Sequence, residues 1–108
     1  MNKETTIAIP ADPNDPEDFD VSVAGVERAH MGRRIRRLRH RLGMSQQEFA
    51  AAFGIPAASI RQYEIGRHMP PPAVRAYLKV ISAEPEAVRR ALTGEAAKVF
   101  EIPDVQAA

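Results

Sequence analysis

The stretch at residues 45–66, SQQEFAAAFGIPAASIRQYEIG, constrains the fold of this chain most strongly. Ser45 is suited to begin a helix, because its hydroxyl can accept an amide hydrogen of the first turn. Gly54 follows the apolar residues of that helix, at a place where a left-handed residue readily ends it. Pro56 suits the start of a second helix, which we expect to stop at Gly66. The stretch therefore predicts two short helices packed across a tight turn.

Apolar residues at helical spacing predict further helices on both sides of this pair. We predict a short helix at 21–30, a strong arginine-rich helix at 31–42, and later helices at 72–82 and 86–92. The expected core consists of Ile35, Leu38, Leu42, Phe49, Phe53, Ile60, Tyr63, Val74, Leu78, Ile81 and Leu92. Helices this short are marginal alone in water, so they must pack together. The predicted fold class is all-α, a five-helix domain built around a helix-turn-helix, with flexible tails.

Charge and proline divide the chain into a basic body and acidic flanks. Positions 28–92 hold 13 Lys and Arg against four Asp and Glu, a formal charge of +9, whereas the remaining residues carry −8. Residues 1–21 combine three prolines with five closely spaced acids, which predicts a disordered acidic arm. We place the helical domain at 22–94, with its core at 31–92, and a C-terminal tail without regular structure at 95–108. The basic body indicates a polyanionic partner.

Several classes of function are disfavoured by the composition. The chain has no cysteine, so disulfides and thiolate zinc sites are excluded. The three histidines, His30, His40 and His68, lack metal-ligand spacing, and no nucleophile with a base is visible, so we expect no enzyme, metal or cofactor. No apolar run is long enough to span a membrane, and residues 1–20 lack the pattern of a secretory signal. We therefore expect a cytoplasmic protein without a membrane partner.

The run at 35–81, IRRLRHRLGMSQQEFAAAFGIPAASIRQYEIGRHMPPPAVRAYLKVI, resembles the Cro and phage-repressor family of the xenobiotic-response-element (XRE) type. The features that carry the resemblance are R-L-G-x-S-Q before the turn, E-F-A with the small Ala50, the glycine turn at Gly54, and Y-E-x-G at 63–66. It extends over about 31–92. The segment EPEAVRRAL is more loosely similar to HigA-type antitoxins and to regulators related to them.

The resemblance implies a lambda-repressor-like fold in which the second helix of the motif, 57–65, enters the major groove of DNA. The outward positions expected to read bases are Ala57, Ala58, Ser59, Arg61 and Gln62. Relatives often carry glutamine where Ala57 and Ala58 stand, and alanine cannot hydrogen-bond a base. Ser59, Arg61 and Gln62 would therefore carry most of the direct readout. The alternative for Arg61 and Gln62 is a solvated helix face or simple phosphate contact.

Other positions are expected to hold the DNA backbone or the recognition helix itself. The predicted phosphate contacts are Gln46, Ser45, Arg33, Arg36, Arg37 and Arg67. For Gln46 the resemblance places the amide and the helix N-terminus over a phosphate. The arginine run from Arg28 to Arg41 contains no acid and is either a solvated face or a polyanion-binding surface. Arg39 and Glu64 match a family pair that links the first helix to the recognition helix.

Three hypotheses of function follow. The first is a sequence-specific regulator of transcription, expected to be a repressor that binds double-stranded DNA as a homodimer. The second is an antitoxin that binds its own promoter while its acidic arm covers a small basic toxin. The third is a protein-interaction module that has lost DNA binding, which Ala57 and Ala58 leave open.

Overall fold

The computed structural model describes residues 22–101, which form five α-helices and a short 3-10 helix. The α-helices are α1 Val23–Arg41, α2 Gln46–Phe53, α3 Ala57–Glu64, α4 Pro72–Ala83 and α5 Pro85–Thr93, and the 3-10 helix is Glu95–Phe100. These residues contain no strand, and the predicted all-α class is confirmed. The predicted arm at 1–21 and residues 102–108 of the predicted tail lie outside the described residues.

α1 is one continuous helix, so the predicted division into helices at 21–30 and 31–42 is wrong. Ser22 caps it, since the Ser22 hydroxyl accepts a hydrogen bond from the backbone N–H of Gly25 at 3.1 Å. No proline interrupts the segment, and Gly32 retains helical geometry in its middle. The first turns project beyond the core, which leaves Val23 77% exposed and Val26 40% exposed.

The two helices of the motif are bounded by caps that their sequences encode. Ser45 and Glu48 form a capping box at the start of α2: the Glu48 N–H donates to the Ser45 hydroxyl at 3.0 Å, and the Ser45 N–H donates to the Glu48 carboxylate at 2.8 Å. Gly54 ends α2 with φ 71°, as predicted. After α3, Gly66 adopts φ 77°, where any side chain would be strained. The turn between α2 and α3 is therefore fixed locally.

The core lies where α1, α2, α3, α4 and α5 converge. Its buried members are Ile35, Leu38, Phe49, Phe53, Ile55, Ile60, Leu78, Ile81 and Val88, with Leu42, Tyr63 and Val74 packed at its edge. Leu92 is 43% exposed, so its predicted place in the core is wrong: α5 enters the core through Val88 instead. The tail was also predicted to lack regular structure, but its first residues form the 3-10 helix.

Two hydrogen bonds attach α4 to the neighbouring helices α2 and α1. The Tyr77 hydroxyl donates to the backbone carbonyl of Phe53, the last residue of α2, at 2.6 Å. Arg41, at the end of α1, donates to the carbonyl of Ser82 at 2.7 Å. α4 is thereby attached to the end of α2 and to the end of α1. Within residues 22–101, no helix is both long and apolar enough to cross a membrane.

Candidate nucleic-acid interface

α3 presents one face to the core and the opposite face to solvent. Ile60 is fully buried, and Glu64 is 5% exposed one turn later. Since successive helical residues are about 100° apart, Ala58 and Gln62 lie opposite Ile60. Arg61 and Ser59 flank them on either side. We call these four residues, Ala58, Ser59, Arg61 and Gln62, the reading face; Ala57 is half-buried and lies nearer the core side.

The C-terminal end of α3 is held against α1 through an approach of the two backbones. A Cβ added to Gly32 would lie 2.6 Å from the carbonyl oxygens of both Tyr63 and Glu64, closer than any real Cβ approaches. Beside this crossing, the Arg28 Nε donates to the carbonyl of Gly66 at 3.0 Å. α1 packs more extensively against α3 than any other helix does. The direction of α3 is therefore set by α1.

A polar cluster under α3 centres on the buried carboxylate of Glu64. The Arg39 guanidinium binds it in bidentate fashion, with Nε 2.7 Å from Oε2 and Nη2 2.8 Å from Oε1. The Gln46 amide donates to Oε1 at 3.1 Å, and the Arg36 Nε lies 3.6 Å from the same oxygen. Arg39 also donates to the carbonyl of Met44 at 3.0 Å. One carboxylate thus links α1, α2 and α3.

The geometry of this cluster favours the ionised forms of Glu64 and Arg39. Burial disfavours the ionised form of Glu64, but hydrogen bonds from Arg39 and Gln46 and the positive charges of Arg39 and Arg36 more than offset it. The pKa of Glu64 is consequently held below its ordinary value. The hydrogen bond to Glu64 raises the pKa of Arg39, although burial opposes that shift. The pair is ionised at neutral pH, which keeps the bidentate contact intact.

Ser45 and Gln46 lie at the N-terminus of α2, beside the polar cluster. The Ser45 hydroxyl is engaged in the capping box, and its O–H remains able to donate. The Gln46 side chain is half-buried, and one of its two amide hydrogens is directed to Glu64. The second hydrogen has no acceptor among residues 22–101 and can bind an outside acceptor. The helix end itself favours an anion.

An open groove of about 340 Å³ lies between the reading face of α3 and the loop that follows α3. Its walls are Ala58, Ser59, Gln62 and Tyr63 from α3, and His68, Met69 and Pro71 from the loop that follows. The side-chain oxygen of Gln62 is buried and has no hydrogen-bond partner within residues 22–101. A donor entering this groove would satisfy it, since a buried acceptor without a partner is costly.

The predicted phosphate-binding arginines occupy three different places. Arg36 lies next to the Glu64 cluster with its side chain about half exposed, and Arg67 is exposed at the start of the loop after α3. Arg33 and Arg37 are exposed on α1, roughly 100° and 140° around the helix from Gly32, which marks the α3 side. The structure therefore brings Arg36 close to the motif and directs Arg33 and Arg37 elsewhere.

Two features of the interface were missed by the sequence reasoning. Gly32 was not recognised as the contact point of α1 with α3, although a lone glycine inside a helical pattern often has a packing reason. The bond from Gln46 to Glu64 was also missed, because the two residues are 18 positions apart. No local pattern reveals such a pair.

Comparison with known families identifies this arrangement. A helix-turn-helix domain family matches residues 30–92, more than half of the chain. The chain therefore belongs to the helix-turn-helix domain family, and the predicted resemblance to Cro-type proteins is confirmed at that level. No significant match was found among curated proteins or among solved structures. The looser likeness to HigA-type antitoxins stays a prediction.

Proposed function

We propose that the chain is a sequence-specific regulator of transcription that acts in the cytoplasm and inserts α3 into the major groove of double-stranded DNA. The observation that carries the proposal is that α3 has an outer face exposed at Ala58 and Arg61 and an inner face that is held in place. Ala58 and Arg61 are exposed, while Glu64 on the inner side is clamped by Arg39 and Gln46. A rigidly held helix with a free face suits base reading, because direct readout requires fixed geometry.

Each position on the reading face has a distinct role. Arg61 is the candidate for bidentate hydrogen bonds to guanine, and Gln62 for adenine, each worth about 1–3 kcal/mol of discrimination. Ser59 faces the groove and can bond either a base or the backbone. The methyl group of Ala58, and that of Ala57 beside the reading face, can touch thymine methyls but cannot donate a hydrogen bond. Specificity therefore depends on few polar side chains.

Backbone contacts supply the remaining affinity. We assign phosphate contacts to Gln46 and Ser45 at the start of α2, to Arg36 beside them, and to Arg67 after α3. These residues lie on elements adjacent to the reading face, where we expect one duplex to reach them. Each arginine that neutralises a phosphate should steepen the dependence of log affinity on log salt by about 0.9.

We further propose that two copies bind together as a homodimer. A single motif reads few base pairs, so pairing across half-sites is needed for specificity. Apolar side chains exposed at the C-terminal end support this: Leu92 is 43% exposed, Val99 75% and Phe100 88%. Sedimentation of Phe100→Ser against the unchanged chain tests this surface. An unchanged dimer fraction would place the interface elsewhere.

The test of the main proposal is selection of bound DNA from random duplexes, followed by binding measurements at two salt concentrations. The double variant Arg61→Ala with Gln62→Ala should lose the preference for the selected site by about 5- to 150-fold for each base contact removed. Nonspecific, salt-sensitive binding should persist, because the backbone contacts remain.

Arg90→Ala provides a matched control, since Arg90 is exposed on α5 and its loss also removes one positive charge. We expect this control to keep the preference. If no duplex is enriched and no binding occurs at low salt, the proposal is wrong. If preference survives the loss of Arg61 and Gln62, the assignment of base readers is wrong although DNA binding stands.

A further inference from the structure

Three arginines form an exposed strip on α1 that the proposed DNA interface does not use. Arg33, Arg34 and Arg37, which we call the arginine ridge, are all exposed. Arg33 lies 2.8 Å from the ring Nδ1 of His30, and none of the three is in an ion pair with a carboxylate of residues 22–101. Arginines three and four positions apart on one helix destabilise it by mutual repulsion. An anionic partner would relieve that repulsion.

We propose that the partner of the arginine ridge is the acidic segment of the same chain, residues 12–20, docked alongside α1. This segment contains five carboxylates and no basic residue. Its sequence is DPNDPEDFD, in which prolines prevent a competing helix. Its negative charge therefore complements the positive charge of the ridge, and the chain connects the segment to α1 through Ser22.

The length of the connecting chain permits this contact. Residues 12–22 reach at most about 33 Å when extended. Arg37 lies 14 helical residues after Val23, a distance of about 21 Å along α1. Asp12 to Asp20 can thus run back beside α1 and reach every arginine of the ridge. Because the segment is covalently connected to α1, its effective concentration near the ridge is high.

The position of the ridge favours this partner over a DNA backbone. The three arginines lie about 100° to 160° around α1 from Gly32, which contacts α3. A duplex held by the reading face would approach α1 from the α3 side. The ridge and the reading face thus serve different anions, and the preference for the acidic segment over DNA rests on the proposed function.

The test uses the full chain with one spin label. The chain has no cysteine, so Ala11→Cys gives a single attachment site next to the acidic segment. We expect the label to broaden the amide signals of residues 33–37 more than those of α5 at about 0.01 M salt. The effect should vanish at about 1 M salt, where charges are screened beyond about 3 Å.

Two variants make the result specific. The ridge variant, which carries three substitutions, should abolish the broadening: Arg33→Gln, Arg34→Gln and Arg37→Gln. The control variant removes the same charge from α4 and α5 and should retain the broadening; it carries Lys79→Gln, Arg89→Gln and Arg90→Gln. Thermal unfolding of both triple variants checks that each is folded. Broadening that is absent at low salt, or that persists in the ridge variant, overturns the proposal.

Two further measurements separate the alternatives. Mixing a spin-labelled chain with an isotope-labelled chain that carries no spin label should produce no broadening of the amide signals of residues 33–37; if it does, the segment binds the ridge of a second copy and the proposal is wrong. If the ridge instead contacts DNA phosphates, the ridge variant would lose about 2.7 from the log–log salt slope of DNA binding. We expect a change smaller than 1 in that slope, and the larger loss would assign the ridge to DNA.

Discussion

Gly32 on α1 lies directly against the backbone of Glu64 at the end of α3, so close that a Cβ on Gly32 would be 2.6 Å from the Glu64 carbonyl oxygen. The same Glu64 carries the carboxylate that Arg39 binds. Backbone packing against α1 and ion pairing with Arg39 thus involve the same residue of α3. The orientation of α3 depends on both.

Gly32→Ala is expected to destabilise the fold by about 2 kcal/mol, because the added methyl meets backbone atoms that cannot move aside. Chemical denaturation measures this cost. Gly43→Ala is the matched control: a Cβ there has nothing within 4 Å, and φ is 68°. Its cost should be about 1 kcal/mol, from backbone conformation alone. Equal costs for the two variants would contradict the importance of the α1–α3 crossing.

The Arg39–Glu64 pair should show strong coupling in a double-mutant cycle. Arg39→Leu or Glu64→Leu alone is expected to cost about 3 kcal/mol, since each leaves a buried charge without its partner. The double variant should cost less than either single one. Denaturant unfolding of the four proteins gives the coupling energy, and additive costs would show that the two side chains act independently.

The pH dependence of stability should report the ionisation of Glu64. Its pKa is lowered in the folded chain, so its contribution is fully present above the ordinary value near 4.5. It is lost as pH falls through the lowered folded value, where the carboxylate takes up a proton. Thermal unfolding of the chain and of Glu64→Gln should therefore differ most above pH 4.5 and converge in more acidic solution. A constant difference down to the most acidic conditions would contradict this assignment.

Tyr77→Phe should remove the hydrogen bond to the Phe53 carbonyl and cost about 1 kcal/mol of stability. Burial also raises the pKa of Tyr77, so the bond should withstand moderately alkaline solution. Tyr63→Phe is the control, because no hydrogen bond of its hydroxyl is found among residues 22–101. A cost of Tyr77→Phe no larger than that of Tyr63→Phe would show that the hydrogen bond of Tyr77 does not stabilise the position of α4.

Local signals predicted the elements whose chemistry lies within a few residues. The Ser45 cap and the Gly54 stop are examples, because both depend on hydrogen bonds within one turn or on one dihedral angle. Helix boundaries and core positions that depend on contacts between distant residues were predicted less accurately. The helix predicted at 21–30 merges into α1, since no breaker separates them, and Leu92 is exposed because its helix packs through Val88.

The sequence by itself determined the all-α fold and the helix-turn-helix, since caps, turn glycines and apolar spacing are properties of neighbouring residues. It also determined the charge of the body and of the acidic segment. Only the tertiary structure decided that Glu64 joins Arg39 and Gln46, and that Gly32 contacts α3. The tertiary structure alone showed that Arg36 lies apart from the arginine ridge. The physical reason is that these relationships connect residues far apart in the chain, whose distances exist only after the helices have packed.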